Sequence, residues 1–296
     1  MIRKFYLHTN ETRDTDFSFT GQVEAYLRDS GRECVRVRFP EDRELLCREA
    51  HPEEACLISM GGDGTVLRAS EVMRGTGIPI LGINLGHMGY LAEIEQSGWK
   101  DALDQVLRDE VRTEDRMMLA GSHPRKEGLS GDCDGDSAGP QEEAHLSLND
   151  IVIIRKGPLR VLEFNVYVDD LLLYNFNADG LILATPTGST AYNLSAGGPI
   201  VEPTARLIVL TLICPHMIGN RSIILSSTDR IEIELRPERN EVGTLDGSAE
   251  VYYDGRLEET LRAGDRMSVF RSEQTVQLLR LDQSSFLQTV HKKMQP

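Results

Sequence analysis

Between Met60 and Val66 the chain reads Gly61-Gly62-Asp63-Gly64-Thr65, set between an apolar run, Cys56-Leu57-Ile58-Ser59-Met60, and a helix-like stretch at 66–74 that stops at Gly75 and Gly77. Strand, glycine turn and helix in immediate succession commit this part of the chain to an α/β layer arrangement. Glycines let backbone N–H groups close on phosphate oxygens, and the following helix aims its unpaired N–H groups and partial positive charge at the same point. The carboxylate is the unusual member. An acidic side chain repels phosphate, so its presence is explained if it orders a metal ion or takes a proton from an attacking hydroxyl. The loop therefore reads as a place of phosphoryl transfer. The alternative is an ordinary strand-to-helix turn in which Asp63 or Thr65 only caps the helix.

The flanking pattern extends the same architecture. Strands are predicted at 2–7, 33–39 and 78–84 and helices at 17–28 and 99–108, an alternation that implies a parallel, Rossmann-like sheet with ligands at the carboxyl ends of its strands. Asn84, Gly86 and Gly89 follow the last of these strands at that edge. Further along, short segments at 149–154, 160–168, 171–174, 180–184, 222–225, 230–235, 249–253 and 266–271 alternate in polarity or carry β-branched residues. The expectation is an α/β domain over 1–115 and a β-rich, sandwich-like domain over 116–279.

Composition narrows the partners. A net charge of -15 and a pI near 5.0 leave no basic surface for a nucleic-acid backbone or an anionic membrane, whereas a small anion held by backbone amides remains open. The five cysteines are scattered without metal-ligand spacing and read as reduced cytosolic thiols. Nothing behind Arg3 and Lys4 reads as a signal peptide or anchor, and the longest apolar run, 207–214, is too short to span a bilayer, so a cytoplasmic protein is expected. Residues 121–143 are acidic and lack apolar periodicity, as a flexible insertion does. Asp132, Asp134, Asp136 and Glu143 imitate a calcium loop there, but Ser137 stands where its turn glycine belongs, and no metal ligands are assigned.

Two further motifs carry polar groups suited to a nucleotide. From Asp179-Gly180 the chain runs through Thr187-Gly188-Ser189-Thr190-Ala191-Tyr192 to Gly197-Gly198-Pro199, clustering hydroxyls where a strand yields to a short helix. A capped helix start and a turn at Asp179 would give the same pattern. Asn149-Asp150 opens a strand; an Asn reads donor–acceptor edges and a carboxylate accepts the hydroxyls of a ribose diol, while an Asx turn is the plainer alternative.

Taken together, Gly61 to Thr65, Gly82-Ile83-Asn84 with Gly86 and Gly89, Asn149-Asp150, Asp179-Gly180, Thr187 to Tyr192, Gly197-Gly198-Pro199 and Pro215-His216 with Arg221 resemble the NAD kinase family, from about residue 56 to the C-terminus. The resemblance implies transfer of the γ-phosphoryl group of ATP to the 2′-hydroxyl of the adenosine ribose of NAD, giving NADP. It implies Asp63 as general base, Gly61, Gly62, Gly64 and Thr65 as phosphate binders, and Asn149 and Asp150 on the adenosine portion of NAD. Asp179 would lie near the nicotinamide end, with Asn177 two residues before it where some relatives carry a basic residue. Thr187, Thr190, Ala191 and Tyr192 would complete the dinucleotide site and Tyr90 would line it. The family further implies Mg²⁺ or another divalent cation bridging the ATP phosphates, a C-terminal tail at about 280–296 that returns to the first domain, and a homodimer or homotetramer. The glycine loop is shared with lipid and sphingoid kinases, and a non-catalytic dinucleotide sensor could use the same fold; the intact Asp63 speaks against a sensor.

Overall fold

The parallel sheet forms around β1 (Lys4–Thr9), which is followed by α1 (Ser18–Asp29), β2 (Glu33–Arg36), α2 (Arg43–Glu49), β3 (Ala55–Gly61), α3 (Asp63–Met73), β4 (Ile80–Asn84), β5 (Ile94–Glu95) and α4 (Trp99–Leu107). The computed structural model describes residues 1–49, 51–86, 89–123, 145–157, 161–216, 219–236, 238–239, 245–281 and 286–294. The chain separates into two units, one made of 1–116, 202–204 and 274–296 and the other of 117–201 and 205–273.

In the first unit the strand order is β2-β1-β3-β4, every pair parallel. All seven residues of β3 are buried, because a parallel strand with helices on both faces has no solvent side. Phe5, Leu7, Val23, Leu27, Ile58, Met60, Ile83 and Trp99 form the core between sheet and helices. Register sets the functional edge. Gly61 lies opposite Asn84, the Asn10 N–H donates to Met60 O (2.8 Å) and the Leu85 N–H to Gly61 O (2.8 Å), so the ends of three strands meet at the glycine loop.

The second unit is antiparallel. After β6 (Val111–Ser122), which crosses the division between units, come β7 (His145–Ser147), β8 (Asp150–Arg155), β9 (Leu162–Val168), β10 (Leu171–Ala178), β11 (Gly180–Ala184), α5 (Tyr192–Ser195), β12 (Leu207–Ile213), β13 (Ile223–Ser226) and β14 (Ile231–Leu235). The short pair β15 (Glu238–Arg239) and β16 (Leu245–Asp246), then β17 (Ser248–Tyr253), β18 (Arg256–Arg262), β19 (Arg266–Leu281) and α6 (Phe286–Met294) complete the chain. One sheet runs β13-β12-β11-β8-β17-β18, and β10-β9-β14 continues to the first half of β19 in another. Phe164, Val166, Ile231 and Ile233 from one sheet meet Ile151, Ile153, Leu181, Leu183 and Val251 from the other in a shared core, the sandwich expected from the alternating segments. Ile182 and Ala184 pack on the opposite face with Val152 and Val209, so β11 is apolar throughout.

Several elements, among them β6, β12, β18 and α6, are additional to the sequence expectation, and three further differences stand out. α3 begins at Asp63 rather than at residue 66, since the first helical N–H groups need no intrahelical partner and Gly64 and Thr65 can form its first turn. α2 was not anticipated: its charged residues hide an apolar stripe that amounts to the fully buried Leu46. β19 continues ten residues past Arg271 to Leu281, its first half in one unit and its second in the other. The acidic insertion lies almost wholly outside the described residues, as does His87. No described helix is long and apolar enough to cross a membrane.

Gly180 owes its identity to this packing. A Cβ there would stand 2.5 Å from the Ile153 carbonyl oxygen and 3.0 Å from the Ile154 Cα, both backbone atoms of the adjacent strand. Gly180→Ala is expected to lower the melting temperature by several degrees, corresponding to about 1–3 kcal/mol of overpacking; differential scanning calorimetry checks it.

Candidate active site

Asp63 stands at the first position of α3, and its carboxylate does not cap its own helix. It turns instead to the segment after β4. The N–H of Tyr90 donates to Oδ2 (2.8 Å) and those of Leu91 and Ala92 donate to Oδ1 (3.0 Å each). A carboxylate offers about four lone-pair directions, so three are taken and one on Oδ2 remains for a further donor. The approach requires glycine at 89, where a Cβ would fall inside the Asp63 carboxyl group. On the far side of the segment, Arg280 of β19 donates to Leu91 O (3.2 Å) and Tyr90 O (3.4 Å) and pairs with Glu93 (3.1 Å). Two of the amides that face Asp63, those of Leu91 and Ala92, thus belong to peptides whose carbonyls are also held.

Thr65 caps the turn: its hydroxyl accepts the Gly62 N–H (3.3 Å) and the Asn10 side-chain amide (3.4 Å). Gly61 must be glycine because a Cβ would strike the Thr65 side chain, whereas a Cβ at Gly62 or Gly64 would meet nothing within 4 Å. The protein's own packing therefore leaves Gly62 and Gly64 unexplained, and open space beside first-turn amides is what an incoming phosphate occupies. That space opens into a cavity of about 870 Å³ whose lining includes Gly62, Gly64, Thr65, Asn10, Arg13 and Arg68 as well as His8, Phe17, Phe39 and the further cations Arg36 and Arg38. The His8 ring lies 4.3 Å from that of Phe39. Burial pushes the His8 imidazole below its ordinary value, opposed by the Val37 carbonyl and assisted by Arg68. Cations, first-turn amides and aromatic rings in one cavity suit a phosphorylated nucleoside.

Tyr90 contributes its backbone to Asp63; its ring turns toward α6, with the Phe286 ring at 6.4 Å and the Lys293 ammonium 4.0 Å from its centroid. Burial, and then the charge of Asp63, raise its phenol above the ordinary value.

In the second unit Asn149, Asp150, Ala191 and Tyr192 line a single cavity of about 440 Å³ together with Val152, Tyr252 and Asp254. Asp150 is 4% exposed, and its Oδ2 is buried without a hydrogen-bond partner. Burial first, then the neighbouring Asp254, raise its carboxyl to about 7, opposed by the N–H of Tyr192. Asn149 is fixed from several sides: Thr185 N–H donates to its carbonyl (2.8 Å), and Gly188 packs so closely that a Cβ would run into the Asn149 backbone.

Much of the hydroxyl-rich motif is internal. Thr185 Oγ1 donates to Leu148 O (2.6 Å), Thr190 Oγ1 to Thr187 O (3.3 Å), and the buried Asn193 ties Ser189 O (2.9 Å) to Pro199 O (3.1 Å). Thr187 and Thr190 therefore hold the turn that presents Ala191 and Tyr192. Asn177 and Asp179 are not brought to this cavity: Gly180 pairs with Ile154 and Ala184 with Asp150, which puts Asp179 roughly 13 Å or more along the strand from Asp150. Asp179 pairs there with Arg155 (3.4 Å).

Sequence reasoning missed Arg13, Arg68, Arg280, His8 and Asp254. Arg280 left a trace, a lone cation in the apolar run Val276-Gln277-Leu278-Leu279-Arg280-Leu281; the others belong to no motif that marks them. Among the described residues no three His, Cys, Asp or Glu side chains gather where they could hold a metal ion.

A glycine loop that opens a helix beside an anchored carboxylate, in an α/β unit followed by an antiparallel sandwich, defines a two-domain phosphotransferase. Residues 8–111 match the ATP-NAD kinase N-terminal domain model and residues 148–281 the ATP-NAD kinase C-terminal domain model. The chain is 39% identical to the NAD kinase of Agathobacter rectalis over 297 aligned positions, covering 99% of each, and 39% identical to that of Moorella thermoacetica over 270, covering 90% of this chain and 78% of that one. Its fold is similar to that of yeast NADH kinase complexed with NADH (TM-score 0.74, 23% identity, 98% of this chain and 86% of that one). It is likewise similar to that of an Archaeoglobus fulgidus NAD kinase in complex with ATP (TM-score 0.72, 23% identity, 98% of each). The chain belongs to the NAD kinase family.

Two expectations follow from the geometry. Gly64→Ala should leave the melting temperature unchanged or raised, since alanine is favoured over glycine in a helix by about 0.5–1 kcal/mol, while raising the KM for ATP severalfold; calorimetry and steady-state kinetics separate the two effects. Asp150 ionises near 3.8 when unfolded and near 7 when folded, so the folded state holds the extra proton in between and this group's contribution to stability falls as pH rises through that window. Asp150→Asn should therefore melt higher than the parent at pH 8, with the difference closing toward pH 4, as read from melting curves across pH.

Proposed function

We propose that this chain transfers the γ-phosphoryl group of ATP to the 2′-hydroxyl of the adenosine ribose of NAD, and that Asp63 accepts the proton of that hydroxyl. The observation that carries the assignment of the base is the three-amide hold on the Asp63 carboxylate, which orients it and leaves one acceptor direction on Oδ2. Phosphoryl transfer asks the protein for positioning and charge compensation rather than covalent chemistry. First-turn amides of α3 with Gly62, Gly64 and Thr65 would take the triphosphate, Arg13 and Arg68 would offset its charge, and the base would lie toward Phe17 and Phe39.

In the second unit Asn149 and Asp150 would hold the adenosine portion of NAD, with Ala191 and Tyr192 against it. Asp179 and Asn177 would act at a separate point, toward the nicotinamide end. Mg²⁺ or another divalent cation would enter on the triphosphate and neutralise its oxygens. The donor set at the loop, one carboxylate and no cage, fits an ion that arrives already bound to phosphate and water. The family resemblance further supports a homodimer or homotetramer working in the cytoplasm. A lipid or sphingoid kinase and a non-catalytic sensor find no counterpart among the relatives above.

The test is NADP formation from NAD, ATP and Mg²⁺ by the parent and by Asp63→Asn. The variant is expected to fold and bind NAD while kcat falls at least ~10²-fold, the scale of general-base contributions. Near-parental turnover in a folded Asp63→Asn would overturn the assignment of the base.

A further inference from the structure

Asp254 and Gly255 form the two-residue loop between β17 and β18, with φ of 49° and 80°. An Asp-Gly pair is well suited to such a turn, and the turn alone accounts for the residue type. It does not account for where the side chain goes. The Asp254 carboxylate leaves its hairpin and accepts the N–H groups of Leu148 (2.8 Å), Asn149 (2.7 Å) and Asp150 (3.3 Å). Ser147 Oγ lies 2.5 Å from Asp254 Oδ1 and 2.6 Å from Asp150 O, sharing its proton between them. The Asp254 N–H in turn donates to Asp150 O (3.1 Å). One side chain thus holds four consecutive residues, and its own backbone returns the hold.

The arrangement is expensive for the fold alone. Two carboxyls stand side by side in a cavity otherwise walled by Val152, Ala191, Tyr192 and Tyr252, and both are pushed upward chiefly by burial. The donors around Asp254 offset its burial, while Asp150 Oδ2 has none. A buried acceptor left without a partner, on a residue that lines a cavity, suits a ligand that brings its own hydroxyl or N–H donors.

We propose that Asp254 is a positioning residue for the dinucleotide: it fixes the 147–150 segment, and through it the side chains of Asn149 and Asp150, for the hydroxyl donors of a ribose. The inference rests on the assignment of Asn149 and Asp150 to NAD. The negative charge of Asp254 has a second consequence. It raises Asp150, so the ionised acceptor forms only as pH climbs toward neutrality, and NAD binding strengthens over that range. The groups facing Asp150 are Asp254 from the hairpin, Tyr192 from α5 and Tyr252 from β17.

The experiment compares the full-length parent with Asp254→Asn, Ser147→Ala, Asp150→Asn and Asp265→Asn. The last removes a comparably buried turn carboxylate, which accepts the Arg262 N–H (2.8 Å) away from the cavity. Steady-state kinetics in NAD and ATP are paired with NAD titration calorimetry across pH. Asp254→Asn is expected to raise the KM for NAD about tenfold or more, with the KM for ATP and kcat within about twofold, as loss of one charge-assisted hydrogen-bond set predicts. Its NAD-binding profile should shift to lower pH, since the charge acting on Asp150 is gone. Ser147→Ala should move the KM for NAD in the same direction by less, and decides the matter if Asp254→Asn does not fold. A folded Asp254→Asn, or failing that Ser147→Ala, with parental NAD kinetics would overturn the inference, as would an equal change in Asp265→Asn. If Asp150→Asn too binds NAD normally, the acceptor-site assignment itself falls; if it binds poorly while Asp254→Asn does not, only the positioning role falls.

Discussion

Three backbone amides pointing at one carboxylate organise the first unit. Asp63 sits where a helix begins and a phosphate is expected, a place where a second negative charge is unwelcome. The amides of Tyr90, Leu91 and Ala92 resolve the conflict by supplying donors that carry no net charge and cannot leave with the ligand. Other features serve that contact. Gly89 clears the space for the carboxylate, Gly82 admits the backbone of Leu91 and Ala92, where a Cβ would lie 2.8 Å from the Ala92 Cα, and Arg280 holds the carbonyls on the far side. A carboxylate aimed in this way has its orientation settled before any ligand arrives, and as the proposed base it would lower a barrier by positioning.

The second unit treats its carboxyls in the opposite manner. Asp254 is surrounded by donors that offset part of the cost of its burial, whereas Asp150 is left short of one and is held at the fold's expense. Such a pair makes sense where a ligand supplies the missing donors, and binding then recovers what folding gave up. The glycines sort by the same logic. Those at 61, 82, 89, 180, 188 and 198 are required by neighbouring atoms of the protein, while Gly62 and Gly64 face open space, where the proposed phosphate site would account for them.

Much of this was legible in the residues themselves. A carboxylate inside a glycine turn, an Asn-Asp pair at a strand entry and a hydroxyl-rich turn each announce polar groups spent away from the core, and the family resemblance drew them into one activity. The parallel and antiparallel units followed from periodicity, because side-chain spacing reports which faces are buried. The motifs were less informative about division of labour. Thr187 and Thr190 look like ligands in the sequence, yet their hydroxyl and carbonyl groups meet within the turn, and Asn177 and Asp179 lie at the far end of the strand from Asp150.

Local chemistry by itself indicated most of the elements, the two sheet types and Asp63 as the candidate base, since each depends on neighbours within a few positions along the chain. Tertiary structure alone decided which groups hold those residues in place. Arg280 is separated from Leu91 by 189 positions and Asp254 from Asn149 by 105, and Arg13 and Arg68 share a cavity because β1 ends and α3 begins at the same sheet edge. A single cation or carboxylate carries no periodic signal of the partner it will meet. Its role comes from the close approach of distant backbone, which folding creates and the order of residues does not display.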